Sequence, residues 1–132
     1  MTICRKITPA GTFDGKQGFT YIEGIARETT GSQAICMHLL TIPPGGRAKA
    51  HKHATHETAI YMLDGVTVMF WGARLENRME AEAGDLSYSP ADMPHLPFNP
   101  GDVPARAVIA RTDPHEQESV VRLPELEGLM GG

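Results

Sequence analysis

The chain has no run of apolar residues near the roughly 20 that a membrane-spanning helix requires, and nothing in it calls for a bilayer. A basic cluster is also missing. The net charge is −4 with both signs interspersed, which speaks against nucleic acid and anionic membrane surfaces as partners. Cysteine is scarce: Cys4 and Cys36 lie far apart with no CxxC spacing, so two free thiols in a reducing cytoplasm is the expected state. Cys36 falls in the apolar run AICMHLL and reads as a small buried hydrophobe, with no neighbour to lower its pKa. The N-terminal residues MTICRKITPAGTFDGK hold no apolar signal-peptide core, so export is not expected. No 3.6-residue apolar period runs long enough for a substantial helix. No fixed-period repeat or low-complexity linker divides the chain.

What is present is a succession of short strands. With 132 residues, 41% of them apolar, the chain suits one domain over 1–132, its barrel core at about 33–112. Thr20–Arg27 and Gln33–Ile42 read as strands flanking the turn-like ETTGS, and PPGGR at Pro43–Arg47 stops the second. Thr58–Leu63 and Val66–Trp71 are separated only by Asp64-Gly65, which predicts a β-hairpin. Leu75–Ala81, Leu86–Ser89, Ala105–Arg111 and Ser119–Leu123 read as further strands. A proline-rich bend is expected from Pro90 to Pro100, and the tail PELEGLMGG is expected to fray. Regular short strands make this an all-β protein: a sandwich, barrel or jelly roll.

Six histidines stand in the sequence, three of them in AHKHATHE: His51, His53 and His56. Two residues apart on a strand, His51 and His53 point to one face and can reach one ion together. Imidazole serves Fe, Mn, Ni, Zn and Cu alike. A His-rich solvated edge strand is the alternative reading of the pair taken alone. His95 lies in GDLSYSPADMPHLPFN, where a lone histidine is more often hydrogen-bonded to nearby backbone.

Taken together, the two segments resemble the cupin superfamily. Its first motif runs from a glycine through five residues to His-x-His, an acidic ligand and a second glycine; here these are Gly45, His51, His53, an acidic candidate and Gly65. In the second, Gly84, Pro90, His95 and Asn99 match, with Asp92 where glycine is usual. Asp suits a tight turn, so the fit survives the exchange. The resemblance implies a jelly-roll barrel with one divalent transition metal, held by His51, His53 and His95 near its open end. The stretches ETAIYMLDG and ARTDPHEQESVV are similar to a group of small bacterial RmlC-like cupins without a settled activity.

The fourth ligand departs from the family pattern. Seven residues before Gly65 the family places a glutamate, and here stands Thr58, with Glu57 and His56 just before it. A bulge in ATHE would turn Glu57 inward as ligand or general base. On a regular strand His56 and Thr58 would share a face instead, leaving His56 or solvent to complete the site. With Thr58 inward, Ile60 and Met62 line the pocket by alternation, as do Val66, Val68 and Phe70 unless the turn resets the parity. Tyr61, Trp71, Tyr88 and Phe98 are aromatic candidates for a rim, or for core packing. Arg106 and Arg111 could clamp a carboxylate, though a surface ion pair is the plainer role for each. His38 is expected to be structural, and His115 carries no functional signal.

Three functions fit. The first is a mononuclear metal-dependent enzyme of the oxygenase or isomerase/lyase type, acting on a small oxygen-bearing molecule. The second is a non-catalytic small-ligand or metal-binding module, and the third a structural dimerisation unit. Open coordination positions favour the enzyme. A bare sheet edge, together with the resemblance, makes a homodimer the expected state.

Overall fold

Alternation along the strands decides how they lie. In CMHLLTI and ARAVIAR every second side chain is buried: Cys36, His38, Leu40 and Ile42 in the first, Ala105, Ala107, Ile109 and Arg111 in the second. Such a period of two turns one face of a strand inward. The structure, a computed structural model, describes residues 3–9, 11–15, 18–115 and 120–130, with Phe13 and Met130 as backbone only.

Among the described residues eleven strands form: β1 (Thr12–Asp14), β2 (Thr20–Ile25), β3 (Cys36–Ile42), β4 (His51–His53), β5 (Thr58–Asp64), β6 (Val66–Trp71), β7 (Asn77–Glu82), β8 (Leu86–Ser89), β9 (His95–Phe98), β10 (Ala105–Arg111) and β11 (Val120–Arg122). They make two antiparallel sheets. One runs β1-β2-β3-β10-β5-β8 and the other β11-β4-β9-β6-β7. This is an all-β jelly roll, as expected. Helix is confined to one turn, α1 (Arg27–Thr30), and a 3-10 segment, Pro124–Met130.

Asp64-Gly65 does not make the predicted hairpin. β5 pairs with β10 and β8, whereas β6 pairs with β9 and β7. The two residues are a corner that carries the chain from one sheet to the other. Gly65 sits at φ 76, and a Cβ there would lie 2.6 Å from the Pro104 carbonyl oxygen, so the corner requires glycine. Asp64 braces it by pairing with Arg106. Changing sheets resets the parity: β6 offers Thr67 and Met69 to the interior cavity, not Val66, Val68 and Phe70.

Two further expectations give way. The span Pro90–Pro100 contains a strand, β9, because β4 and β6 flank it and supply partners that no local pattern reveals. The tail is ordered through residue 130, while Gly131 and Gly132, like Ser119, lie outside the described residues. Leu126 is buried with Ala50, Leu75 and Leu96, and Phe70 packs against them. Burying a leucine stabilises by about 1.5–3 kcal/mol, and Glu127 fixes the contact by accepting the Ala50 N–H at 2.8 Å. This cluster covers the outer face of the five-stranded sheet. A larger one, with Tyr21, Leu40, Met62 and Ile109, fills the space between the sheets.

Candidate metal centre

His51 and His95 are direct cross-strand partners in the β4–β9 pairing. Opposed residues of an antiparallel pair project to the same side with Cβ atoms about 4.5–5.5 Å apart, and the two ring centroids stand 4.3 Å apart. His53, two residues along β4, shares the face, with its ring 5.2 Å from His51 and 5.3 Å from His95. One ring nitrogen from each histidine lies within 4.8 Å of the others. All three side chains are buried, at 2%, 3% and 5% exposure. These three histidines can hold a metal ion.

Their backbone contacts fix how they present themselves. His51 Nδ1 lies 2.6 Å from the Lys49 carbonyl and His95 Nδ1 lies 2.9 Å from that of Met93. A carbonyl only accepts, so Nδ1 carries the proton and Nε2 keeps its lone pair, the form that binds metals. The buried His53 Nδ1 meets no hydrogen-bond partner among the described residues. Burial is the main cause that pushes all three below the ordinary histidine pKa, His95 to about 4. Neighbouring histidines and the Arg111 cation add to it. Neutral imidazoles at neutral pH need no deprotonation before accepting an ion.

The flanking motif residues have structural work. Asp92, in the place where glycine was usual, adopts φ 64. Its N–H donates to the His53 carbonyl at 2.7 Å and its carboxylate pairs with Lys52 at 2.7 Å. Asn99 is fully buried, donates to the carbonyls of Ile42 and Val103, and accepts from the Gly101 N–H. Its backbone exchanges hydrogen bonds with Gly45 and Gly46. The two motif segments are thereby tied together at both ends.

ATHE is a bend between β4 and β5, neither a regular strand nor a bulge; His56 is buried in it, Glu57 is exposed, and Thr58, which opens β5, is buried. The β5–β8 register runs without interruption, and the irregularity in β5 lies at its far end, opposite Arg106 and Ala107. Glu57 is not brought to the trio; its carboxylate accepts a 2.6 Å hydrogen bond from the exposed Tyr88 hydroxyl. His56 packs its ring 4.5 Å from that of His53, but its Nδ1 is engaged at 3.3 Å by Asp113. It does not line the cavity between the sheets.

That cavity, of about 50 Å³, has the trio at one end and apolar walls that include Ile60 and Met62, as alternation predicted. Among the described residues no aspartate or glutamate lines it. The aromatic walls come from Phe19 and Tyr21, which no motif singled out; Tyr21 is placed by its pairing with the buried Leu40. Of the aromatic rim candidates, Tyr61 and Tyr88 are exposed and Phe98 stacks on Phe70 at 5.7 Å. Trp71 is the register partner of His95, half-buried but outside the lining. The two arginines part company. Arg106 is the surface ion pair expected, while Arg111 is 5% exposed and lines the cavity. His38 accepts the Gly24 N–H at 3.0 Å and is held at a pKa of about 4, chiefly by burial, as a structural histidine. Cys36 is a buried free thiol whose pKa is raised, mainly by burial.

An uncharacterised protein of Methanocaldococcus jannaschii is 33% identical over 78 residues, 58% of this chain and 59% of that protein. The match therefore spans less than two thirds of the relative's length. Among solved structures, the oxalate decarboxylase of Lactobacillus farciminis superposes with a TM-score of 0.70 at 22% identity, covering 86% of this chain and 33% of that one. The Bacillus subtilis oxalate decarboxylase, which has Mn(II) centres, gives 0.68 at 24% over 87% and 29%. A candidate sugar phosphate isomerase of Acidithiobacillus ferrooxidans gives 0.61 at 18% over 76% and 65%. At such identities the likeness carries the fold alone. The cupin domain family matches residues 38–111, more than half of the chain and both histidine segments. This chain belongs to the cupin domain family.

Proposed function

We propose that the protein is a mononuclear metal-dependent enzyme, of the oxygenase or isomerase/lyase type, acting on a small oxygen-bearing organic molecule. The observation that carries this reading is the convergence of three buried, neutral imidazoles on a small, mostly apolar cavity. His51, His53 and His95 are the ligands in this reading, and the ion is Fe, Mn, Ni, Zn or Cu. A bound ion would supply Lewis-acid polarisation or, if redox-active, electron transfer. The Lys49 and Met93 carbonyls orient two of the rings, and the apolar walls keep bulk water from the ligand. Three protein ligands leave coordination positions open, as catalytic sites do and closed structural sites do not. The Mn(II) centres of a structural neighbour support a transition metal.

We also propose a cytoplasmic homodimer, with residues 1–132 forming one domain. Two features favour association: β8 ends the six-stranded sheet as a bare edge, and Met37, Tyr61, Leu86 and Tyr88 stand exposed on that sheet's strands. Sedimentation showing a monomer at all concentrations would remove this part.

The test of the enzyme is elemental mass spectrometry on protein purified without a histidine tag, followed by turnover assays on small carboxylates and carbonyl compounds under air and without oxygen. About one transition-metal ion per chain with turnover supports the enzyme. Metal and ligand binding without turnover would make the protein a binding module. No metal uptake even on reconstitution would end the metal reading.

A further inference from the structure

A row of polar side chains crosses the six-stranded sheet opposite the histidines. Arg111 on β10 is in register with Thr58 on β5, and Thr58 is in register with Ser89 on β8. All three are buried, at 5%, 4% and 5% exposure, and all three line the cavity. Thr58 Oγ1 and Arg111 Nε and NH1 have no hydrogen-bond partner among the described residues. The Tyr21 ring lies under the guanidinium, its centroid 5.8 Å from the guanidinium carbon.

A guanidinium cannot shed its proton; its side-chain partner is the Cys36 thiol, which carries no compensating charge, and buried charge left unbalanced is disfavoured. Among the described residues no carboxylate lines the cavity, and the nearby buried Asp113 is engaged by His56. An ion on three neutral histidines would put more positive charge into the same space, since imidazoles leave the ion's charge undiminished. Both charges act across a medium of low effective dielectric. An anion entering from outside would balance them. Arg111 supplies charge-assisted donors for it, and the Thr58 hydroxyl a further one. The family glutamate is absent from this position, which is what leaves the space and the charge open.

We propose that Arg111 and Thr58 form an anion subsite that seats the carboxylate of a compact carboxylic acid, with the ligand's other oxygen turned towards the histidine trio. The inference rests on the metal reading only for that second oxygen. Arg111 is in this account a binding and specificity residue, and the substrate class is a small oxygen-bearing carboxylic acid.

The test is calorimetric titration of the full chain, metal-loaded and metal-free, with pyruvate and its uncharged analogue pyruvamide. The expected result is millimolar or tighter binding of pyruvate and at least about tenfold weaker binding of pyruvamide. Arg111→Gln should weaken pyruvate by about tenfold or more, Arg111→Lys by less, and Thr58→Val by a few-fold, all with unchanged metal content. Pyruvamide binding as well as pyruvate would overturn the proposal, as would no pyruvate binding or an Arg111→Gln variant that binds normally. Should Arg111→Gln fail to fold by circular dichroism, the wild-type comparison and Thr58→Val decide. Arg111-dependent pyruvate binding in a chain that takes up no metal would keep the anion subsite and end the metal reading. Metal uptake without anion selectivity would do the reverse.

Discussion

The two faces of the five-stranded sheet differ sharply although the same few residues build both. Along β4 and β9, His51, His53 and His95 point to the cavity, while their neighbours Leu96 and the adjoining Ala50 point outward under Leu126. On the outer face the polar groups are matched: the Ala50 N–H has Glu127, and Arg47 reaches the Glu127 carbonyl. On the inner face His53 Nδ1 is not, and across the cavity, on the facing six-stranded sheet, neither are Thr58 Oγ1 and two donors of Arg111. Folding alone has no use for unmatched buried groups, which cost stability. The outer face is therefore what holds the sheet, and the inner face is what the sheet holds.

Substitutions on the two faces should have separable effects. The largest expected effect is on the inner face: His51→Ala with His53→Ala should take metal from about one ion per chain to almost none. It should also abolish the stabilisation on adding metal, about 2.7 kcal/mol at a hundredfold excess over Kd and read as a rise in melting temperature. Unaltered metal content in that variant would break the comparison. Next, Leu96→Ala on the outer face should cost about 2–5 kcal/mol in denaturant titration and leave metal stoichiometry alone. If it lost metal selectively, the faces would not be independent.

Acidification should sharpen the contrast. His38 and His95 are held at a pKa of about 4, below the ordinary value near 6.5, so the unfolded chain binds more protons between those limits. Stability of the metal-free protein is thus full above pH 6.5 and lost as pH falls towards about 4. The loss should be up to roughly 1 kcal/mol per pH unit for each histidine. A melting temperature flat across that window would show that these groups are not buried as neutral rings. The smallest effect is expected for Glu57→Ala, which breaks only the exposed bond to Tyr88. It should change stability by less than about 0.5 kcal/mol and leave metal content unaltered. A drop in metal retention would mean that Glu57 swings inward.

The barrel was legible because alternation is local: the inward series of β3, β10 and the far end of β5 can be counted off the chain. The three histidines were legible because the spacing of two segments matched a family. Pairing partners were not. Asp64-Gly65 looks the same whether it closes a hairpin or turns a corner between sheets, and only the ladder partners of β5 and β6 distinguish the two. The inward faces of Thr67 and Met69 follow from that corner. Arg111 was misjudged for a related reason: alternation puts it in the buried series of β10, but the preference of arginine for solvent argued otherwise. Its register partner Thr58 offers a hydroxyl and no carboxylate to pair with it.

The contact between β4 and the C-terminal segment has a consequence for synthesis on the ribosome. One edge of the strand bearing His51 and His53 is completed by Val120–Arg122, and Glu127, which caps Ala50, follows it by 77 positions. At roughly 5–20 residues per second, that strand leaves the exit tunnel on the order of ten seconds before its flank does. During that interval two closely spaced histidines would be exposed and able to bind ions indiscriminately. An ion held by the finished trio would then be retained only once β9 and Val120–Arg122 have closed on either side of that strand.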